Sequence, residues 1–569
     1  MPKSTKQPAP AAAAPETVAG AFLSLLRARG IDWLFANAGT DFAPVIEALV
    51  QARKVGIPVP EAVPIAHETT AVAMAHGYWL VTGRPQAVMV HVNVGTANAL
   101  MGLVNASRDH VPMLFMSGRT PLTEQGRHGS RDLPIHWGQE MFDQAGMLRE
   151  LVKFDYELRY PEQVATVVDR AISAAMTEPR GPAYLSLPRE ALAERWTGSP
   201  EPAAPTTRPA TTPAPDPGAL SEVARRLAKA RRPLVIAGRS DAATFDSLAT
   251  FADACAVPVV HFWPARMALS TEHPMHAGFD PSPWIERADF VLVLDVMVPW
   301  LPARHRLADG ATVVHVGPDP AFHRIPMRSF PGEAFIRAGV PETLRQLGAA
   351  IEGSSGLAAR RRTLGAEIAA LRKEREGSFA SVPRPMTNAW VSRVLSRCAG
   401  DDAIVFGELG ADPSAMRLTH ANAWFGHPIA GGLGWGVPAA LGAKLALPHA
   451  TVVACVGDGS YLFANPVASH QTAAALDLPI LTIVFNNGVW NAVRKSTRAL
   501  YPSGHAAGSN DMPLSSLAPS PDYERVVEAS GGWGRRVDEP EALPEAIGAA
   551  LRVVREERRQ ALLNVIVAA

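Results

Sequence analysis

Cysteine is scarce in this sequence, which has only three in 569 residues: Cys255, Cys398 and Cys455. The three lie far apart and in no metal-ligand spacing, which argues against a disulfide framework and against a zinc site. A reducing environment fits this usage best, and we therefore expect a cytoplasmic protein.

An excess of charge is also lacking, because 54 basic and 54 acidic residues give a formal net charge of zero. No electrostatic footprint for nucleic acid or for an anionic membrane is therefore visible. Long apolar runs are missing as well. The run 478–485 has the length of a strand, far below the roughly 20 apolar residues of a membrane span. We therefore expect small molecules as partners, and neither nucleic acid nor a membrane.

Proline is abundant, and its distribution divides the chain. The segment 196–217, WTGSPEPAAPTTRPATTPAPDP, is too rich in proline and too poor in large apolar residues to pack, and predicts a linker. A weaker break at 381–385 follows a charged helical stretch. With an Ala/Pro-rich disordered tail at 1–15, the expected domains are 16–195, 218–355 and 380–569.

Within each of these three blocks, short β-branched or Leu-rich runs alternate with longer stretches of helical period. Nine runs are predicted as strands: Ala87–His91, Pro112–Met116, Ala183–Leu187, Pro233–Ile236, Phe290–Leu294, Thr312–Val316, Ile404–Phe406, Thr451–Val456 and Pro479–Phe485. This alternation indicates an α/β fold of three doubly wound parallel-sheet domains. Ligands bind beyond the carboxyl ends of such strands, so the residues that follow each run are the candidates for chemistry.

Two polar turns follow the last two predicted strands. Asp458 offers a carboxylate oxygen and Asn487 an amide oxygen. With a backbone carbonyl at about Val489 and two phosphate oxygens, they would complete an octahedral Mg²⁺ site. Either turn alone is more often only a turn. Together, with a helix and a buried strand between them, they predict an anchor for a diphosphate and its metal.

The residues around Asp458 suit the phosphate side of this anchor. Gly457 and Gly459 let backbone amides approach a diphosphate, and Ser460 would open the next helix as a further donor. The order GDGS and then NNG resembles the signature of thiamine-diphosphate enzymes of the acetolactate synthase and benzoylformate decarboxylase superfamily. The resemblance implies pyrimidine-binding, central and diphosphate-binding domains, in that order. It also implies a homodimer or homotetramer with active sites at the subunit interface.

The resemblance further implies a glutamate from the first domain. The stretch 66–78, AHETTAVAMAHGY, is similar to the family's glutamate at the start of an alanine-rich helix, which makes Glu68 the candidate. A carboxyl group at the cofactor's aminopyrimidine favours the imino tautomer that removes the thiazolium C2 proton. The reaction then proceeds through a C2 carbanion and an enamine. The alternative is an acidic residue that only stabilises the helix start.

The segment 430–440, AGGLGWGVPAA, resembles the family's glycine-rich support for the pyrimidine. There, Gly431 would approach the cofactor and Leu433 would wedge between its rings. As a dinucleotide fingerprint the string fails, because Val437 stands where glycine is needed. Gly410 and Ala411 replace the serine and threonine that help to hold the diphosphate in the decarboxylase, so binding there would rest on backbone amides.

Other residues resemble benzoylformate decarboxylase and bear on the substrate. The stretch 37–41 is similar to that enzyme's Asn-Pro-Gly-Ser-Asn, with Thr40 in place of an active-site serine. His91 has the same spacing from Glu68 as the family's catalytic histidine, and an imidazole can relay a proton near neutral pH. A structural strand-end histidine is an equal alternative. Trp490 belongs to the segment after the paired asparagines, which also resembles the decarboxylase.

Two features favour acetolactate synthase instead. Gln139 and Glu140 match that family's Gln-Glu loop, and the stretch 151–154, LVKF, resembles its following strand. Gly138, however, stands where those enzymes carry a phenylalanine, which indicates room for a bulkier substrate or a different orientation. The leading hypothesis is a non-oxidative decarboxylase or C–C lyase that acts on a 2-oxo acid or aldehyde, with thiamine diphosphate and Mg²⁺. The alternatives are a carboligase that transfers an acyl unit from pyruvate, and a catalytically silent homologue. FAD is possible in the central domain, but no motif predicts it.

Overall fold

The structure is a computed structural model that describes residues 14–199 and 201–569. The chain divides into two compact units, 1–210 and 211–569. The expected tail, 1–15, lies almost entirely outside the described residues. Among the described residues, no helix is long and apolar enough to cross a membrane.

Unit 1 contains a six-stranded sheet in the order β2-β1-β3-β4-β6-β5, and every pair of neighbours is parallel. Its strands are β1 (Trp33–Asn37), β2 (Glu61–Pro64), β3 (Ala87–Val90), β4 (Leu114–Arg119), β5 (Asp155–Glu157) and β6 (Ala183–Pro188). Its helices are α1 (Val18–Ala28), α2 (Ala43–Val55), α3 (Glu68–Thr82), α4 (Val92–Arg108), α5 (Ile135–Gly138), α6 (Val164–Met176) and α7 (Arg189–Ala193). Strands β3 and β6 are buried along their whole length, as in a sheet covered on both faces.

The first part of unit 2 contains a five-stranded parallel sheet in the order β11-β10-β9-β7-β8. Its strands are β7 (Pro233–Ala237), β8 (Val259–His261), β9 (Phe290–Leu294), β10 (Thr312–Gly317) and β11 (Ala334–Arg337). The helices are α8 (Pro217–Lys229), α9 (Ala242–Cys255), α10 (Ser282–Ile285), α11 (Val340–Ile351) and α12 (Leu357–Gly377). Helix α8 begins where the sequence favours it, because Asp216 caps the Ala219 N–H over 2.8 Å and Pro217 occupies the first helical position.

The last part of unit 2 contains a six-stranded parallel sheet in the order β13-β12-β14-β15-β17-β16. Its strands are β12 (Ile404–Glu408), β13 (Trp424–Gly426), β14 (Val452–Gly457), β15 (Leu481–Asn486), β16 (Trp533–Val537) and β17 (Ala561–Ile566). Its helices are α13 (Asn388–Ala399), α14 (Gly436–Ala446), α15 (Asp458–Phe463), α16 (Pro466–Ala475), α17 (Asn491–Leu500), α18 (His505–Ser509), α19 (Tyr523–Glu528) and α20 (Leu543–Arg555). Counted from its own first strand, this sheet has the same strand order as the sheet of unit 1.

The predicted fold class is confirmed: the structure has three parallel α/β sheets, and each of the nine predicted strands overlaps an observed one. The linker at 196–217 stays a prediction, and its residues 201–214 are exposed. Its described residues up to Asp216 form no helix or strand. However, Thr206 donates its backbone N–H to Asp169 over 2.8 Å, and Ser173 donates its hydroxyl to the Arg208 carbonyl over 2.9 Å. Thr206 and Arg208 are thus hydrogen-bonded to helix α6 of the same unit.

Candidate active site

In each six-stranded sheet the strand order reverses beside the first strand, between β1 and β3 in unit 1 and between β12 and β14 in unit 2. The connections leave such a point in opposite directions and open a crevice at the carboxyl ends of the strands. Strands β1 and β3 end side by side, at Asn37 and Val90. Strands β12 and β14 end at Glu408 and Gly457. The predicted residues that follow these four strands therefore lie at the two crevices.

Asp458 lies at the crevice of unit 2, as the first residue of α15. Its side chain is buried, and Oδ1 accepts a hydrogen bond from the Gly459 N–H over 2.8 Å. Oδ2 accepts from the backbone N–H groups of Asn487, over 3.2 Å, and of Gly488, over 2.7 Å. The structure thus brings the two predicted turns into direct contact. The helix begins at Asp458, so Ser460 is its third residue and not its opening one, as the sequence suggested.

The electrostatics of Asp458 suit a cation. Burial raises the pKa of its carboxyl group, because the charge is held away from water. Its hydrogen-bond partners in the described part of the chain are all backbone N–H groups. The neighbouring Asn487 uses its side-chain oxygen to accept the Val489 N–H over 3.1 Å. Carboxylate, amide and carbonyl oxygens are the ligands that Mg²⁺ prefers, so these residues fit that ion together with phosphate oxygens.

A metal site of this composition differs from one made only of side chains. The described residues contain no group of three or more His, Cys, Asp or Glu that could hold a metal ion. The expected set has one carboxylate, one amide and the carbonyl of Val489, and leaves the remaining positions to the ligand. Such sharing is usual for Mg²⁺, which keeps few protein ligands and binds through substrate phosphates.

Two glycines, Gly459 and Gly488, allow the close packing of the turns at Asp458 and Asn487. A Cβ atom on Gly459 would lie 2.2 Å from the ring of Trp490, and Gly488 has a left-handed φ of +66°. The Trp490 ring in turn packs edge-on against Phe463, with centroids 5.9 Å apart, and its backbone N–H donates to the Ser515 carbonyl over 2.8 Å. Trp490 therefore covers the turn and fixes its shape.

Glu408 lies at the crevice of unit 2 and was not predicted from the sequence. It ends β12, is 1% exposed, and accepts the N–H groups of Gly434 and Gly436, each over 2.6 Å. Burial raises the pKa of its carboxyl group to about 7, while these donors act in the opposite direction. Glu408 ties the glycine-rich segment to the crevice. The available signal was an acidic residue at the end of an otherwise apolar run.

The glycine-rich segment itself packs closely against α15. Gly434 has a φ of +89°, and a Cβ there would lie 2.2 Å from the carbonyl oxygen of Phe463. Gly431 also has a left-handed φ, of +72°, and its N–H donates to the Pro428 carbonyl over 2.9 Å. Leu433 lies between these two glycines and is half-buried.

Gly410 and Ala411 follow β12. A Cβ on Gly410 would lie 2.7 Å from the Phe485 ring and 3.0 Å from the backbone of Val456, so the position admits only glycine without displacement. The Gly410 carbonyl accepts a hydrogen bond from Asn388 over 2.6 Å. Ala411 is half-buried. A serine in place of glycine, as in the related motif, does not fit this backbone.

In unit 1, Glu68 is the first residue of α3. Its Oε2 accepts a hydrogen bond from the Asn98 amide over 2.6 Å, and a Cβ on Gly95 would lie 3.2 Å from its Oε1. The preceding His67 caps the helix, with Nδ1 3.3 Å from the Thr69 N–H. The side chain of Glu68 is half-buried. Helix α4 therefore holds this carboxylate at the helix start in one orientation.

His91 lies at the crevice of unit 1, directly after β3. Its Nδ1 lies 2.5 Å from Oδ1 of Asp41, and the two side chains are 17% and 2% exposed. The hydrogen bond to Asp41 raises the pKa of His91; burial opposes this effect, and the negative charge of Glu68 adds to it. The structure thus brings His91 into the same electrostatic environment as Glu68.

Two glycines make room for the Asp41–His91 pair. A Cβ on Gly39 would lie 2.0 Å from His91 Nδ1, and one on Gly118 would lie 1.6 Å from Asp41 Oδ2. The sequence reasoning did not identify Asp41, because its partner is 50 residues away on the chain. Thr40, the predicted counterpart of an active-site serine, is exposed at the start of a 3₁₀ turn.

The loop after α5 contacts the same imidazole. The amide nitrogen of Gln139 lies 3.1 Å from His91 Nε2, and the Gln139 carbonyl accepts a hydrogen bond from Thr120 over 3.1 Å. Glu140 pairs with Arg119 over 2.7 Å. Gly138 is exposed, and a Cβ there would meet no described atom within 4 Å. The position is open, as the absence of a large side chain led us to expect.

Comparisons with known proteins agree with this division of the chain. Three family models match it: "Thiamine pyrophosphate enzyme, N-terminal TPP binding domain" over residues 16–147, the central domain over 220–347, and the C-terminal TPP binding domain over 411–565. A benzoylformate decarboxylase from Pseudomonas aeruginosa is 28% identical over 501 residues, which are 84% of this chain and 87% of the relative. An acetolactate synthase large subunit, isozyme 3, from Escherichia coli is 24% identical over 552 residues, 93% of this chain and 91% of the relative.

Solved structures show the same similarity. The 4-hydroxybenzoylformate decarboxylase of Rhodococcus jostii superposes with a TM-score of 0.76 and 25% identity, over 97% of this chain and 99% of that one. A benzoylformate decarboxylase from Polynucleobacter necessarius, at 20% identity and a TM-score of 0.78, has the same fold.

Proposed function

Because the chain belongs to the superfamily of thiamine-pyrophosphate-dependent enzymes, we propose that it is a non-oxidative 2-oxo acid decarboxylase or C–C lyase. The activity common to its relatives, decarboxylation or acyl transfer with this cofactor, follows from the family. The choice between the two rests on the residues of the crevices.

The position and the pKa of His91 are the observations that favour decarboxylation over acyl transfer. Conversion of a 2-oxo acid anion into carbon dioxide and an aldehyde consumes one proton, which must be delivered inside the site. The Asp41 carboxylate at 2.5 Å raises the pKa of His91 and so favours its protonated form near neutral pH. An imidazole in this state supplies that proton, as general acids do in many enzymes.

The cofactor and metal assignments remain those that the sequence suggests. Thiamine diphosphate, when bound, supplies a nucleophilic carbon and an electron sink. We assign Glu68 to its aminopyrimidine, and Asp458, Asn487 and the Val489 carbonyl to Mg²⁺. The residues assigned to the rest of the cofactor are Gly410, Ala411, Gly431, Leu433, Gly457, Gly459, Ser460 and Trp490. The metal assignment is supported by the buried carboxylate of Asp458, which accepts hydrogen bonds from backbone N–H groups and pairs with no Lys or Arg among the described residues.

A carboligase of the acetolactate synthase type is the second candidate, and one observation favours it. Gln139, which belongs to the Gln-Glu stretch that resembles that family, lies against His91. In this alternative the acyl unit of a 2-oxo acid such as pyruvate passes to a second carbonyl compound, and the product is a hydroxyketone or acetolactate.

One incubation separates the two candidates. Purified protein with thiamine diphosphate and Mg²⁺ is given pyruvate, benzoylformate or benzaldehyde, singly and in pairs, and the products are identified by NMR. We expect carbon dioxide and an aldehyde in equal amounts from a single 2-oxo acid. Acetolactate or a hydroxyketone as the main product would establish the carboligase. Binding of the cofactor without turnover of any of these compounds would support a silent homologue.

The oligomeric state belongs to the same proposal. A homodimer or homotetramer is expected from the family resemblance, and sedimentation of the active enzyme tests it. A fully active monomer would contradict it.

A further inference from the structure

Three polar side chains from three separate segments of unit 1 form one row of hydrogen-bonding contacts. Asp41 follows β1, His91 follows β3 and Gln139 follows α5. The row runs from Asp41 Oδ1 to His91 Nδ1, at 2.5 Å, and from His91 Nε2 to the Gln139 amide, at 3.1 Å. One side of the imidazole therefore faces a carboxylate and the other side faces a carboxamide.

We propose that Asp41 and Gln139 are positioning residues that let His91 take up and release a proton at Nε2 while Nδ1 keeps its own. The inference rests on the proposed function, in which His91 delivers the proton that aldehyde release consumes. It adds the two residues that prepare the imidazole for this role.

Asp41 determines which nitrogen keeps its proton. An ionised carboxylate only accepts hydrogen bonds, so the nitrogen that faces it must carry a hydrogen. Asp41 is 3% exposed and its Oδ2 also accepts the Val92 N–H over 3.4 Å, which keeps the carboxylate in place. Nδ1 is therefore always a donor, and Nε2 is the atom whose protonation changes.

Gln139 can serve both states of Nε2. A carboxamide has N–H donors on one side and an oxygen acceptor on the other. When Nε2 is bare, the amide N–H donates to it; when Nε2 is protonated, a half-turn of the amide presents the oxygen instead. In the observed orientation the buried Oε1 of Gln139 has no hydrogen-bond partner among the described residues. The half-turn of the amide therefore breaks no hydrogen bond at Oε1.

The surroundings keep the row together. Gln144 donates from its amide to the Gly118 carbonyl over 2.9 Å and to the Ser117 hydroxyl over 2.8 Å, which fixes the end of β4 beside Asp41. The charged groups that face His91 are Asp41 and Glu68, and the nearby His136 adds a weak opposing charge when protonated. The two carboxylates outweigh burial, so the pKa of His91 is raised.

The proton balance of one turnover is simple. The N–H bond at Nε2 breaks as the proton moves to the carbon that becomes the aldehyde carbon, and the electron pair of that bond stays on Nε2. The imidazole, with 17% of its side chain exposed, then takes a proton from solvent. Nδ1 keeps its hydrogen throughout this cycle.

The test is an NMR titration of His91 in the full-length protein labelled with [¹³Cε1]-histidine, with and without thiamine diphosphate and Mg²⁺. The His91 signal is assigned by its loss in His91→Gln. We expect a midpoint above the ordinary value of about 6.5 and a decrease of about one unit or more in Asp41→Asn. Gln139→Glu places a second carboxylate beside Nε2 and should raise the midpoint, which also covers the case in which Asp41→Asn fails to fold. Glu150→Gln, at an exposed carboxylate of the same unit, is the matched control.

The second readout is the pH profile of kcat/KM. If protonated His91 is the acid, activity falls as the pH rises through its pKa. In Asp41→Asn this alkaline limb should move to lower pH, by the same amount as the titration midpoint. A folded Asp41→Asn or Gln139→Glu with the wild-type midpoint, or a wild-type midpoint at or below 6.5, would overturn the proposal. The titration needs no substrate, so failure of the proposed function would appear as absent turnover with the midpoints still shifted.

Discussion

The side-chain amide of Asn98 donates a hydrogen bond to Oε2 of Glu68 over 2.6 Å and thereby joins α4 to the first turn of α3. The same amide nitrogen lies 3.3 Å from Nε2 of His67, the residue that caps α3. Asn98 thus orients the carboxylate without neutralising it. A glutamine side chain can accept the same hydrogen bond, so charge and geometry at position 68 can be separated by mutation.

Glu68→Gln should reduce turnover by a factor of about 10²–10⁴, the usual contribution of an acid–base group. The amide keeps the contact with Asn98 but cannot exchange a proton with the cofactor. The thermal unfolding temperature of the cofactor-free protein should stay within the error of the wild type. Glu61→Gln, at an exposed position on β2, is the control and should leave kcat unchanged. Full activity of Glu68→Gln would remove Glu68 from the proposed site.

Asp458→Asn should weaken the binding of Mg²⁺ and the cofactor, because it removes the only carboxylate of the proposed metal site. In the wild type, ligands at 100 times their Kd should stabilise the fold by about 2.7 kcal/mol, and EDTA should reverse this effect. The stabilisation is measured by thermal unfolding with and without Mg²⁺ and thiamine diphosphate. Asp477→Asn, at an exposed carboxylate that pairs with Arg558 over 2.8 Å, should keep it. An undiminished response in Asp458→Asn would contradict the metal assignment.

Gly410→Ser introduces a hydroxyl at a position where benzoylformate decarboxylase has one, yet we expect it to destabilise the fold. The new Cβ would lie 2.7 Å from the Phe485 ring and 3.0 Å from the Val456 backbone. Overpacking of this kind destabilises by about 1–3 kcal/mol. Urea unfolding measures the loss, and Ala411→Ser, at the adjacent half-buried residue, should stay within about 0.5 kcal/mol. Unchanged stability with tighter cofactor binding would show that the backbone yields at position 410.

Gly138→Phe should change substrate preference with little effect on the fold, because a Cβ at this exposed residue meets no described atom within 4 Å. The ring would occupy the open space beside Gln139. We expect kcat/KM for benzoylformate to fall by about 10-fold relative to that for pyruvate, which is a typical effect of steric change in a substrate pocket. Gly138→Ala should leave the ratio unchanged. An identical ratio in Gly138→Phe would place this position away from the substrate.

Nine of the eleven strands that lie inside their sheets could be predicted from the sequence, because they are buried and read as largely apolar runs, as in β9 (Phe290–Leu294) and β15 (Leu481–Asn486). The inner strands β1 (Trp33–Asn37) and β17 (Ala561–Ile566) were not predicted. Edge strands gave no such signal. Strand β2 (Glu61–Pro64) is short and largely exposed, and β16 (Trp533–Val537) contains two arginines. Such strands can be recognised only from their pairing with a neighbouring strand of the sheet.

The candidate site divides in the same way. The turns at Asp458 and Asn487 were predictable, because each comes directly after an apolar run and both are short motifs. The pairing of Asp41 with His91 was not, because it depends on the register of β1 beside β3, which are separated in the chain by two helices and another strand. Glu408 was missed for a related reason: its role is visible only when the glycine-rich segment folds back onto β12.

Gly39 and Gly118 limit how the Asp41–His91 pair could be transferred by protein engineering into another scaffold of this type. Any side chain at either position would collide with the imidazole or with the carboxylate. A graft of Asp41 and His91 alone would therefore fail in a scaffold with alanine at either glycine position. The graft requires all four residues, drawn from three different strand ends.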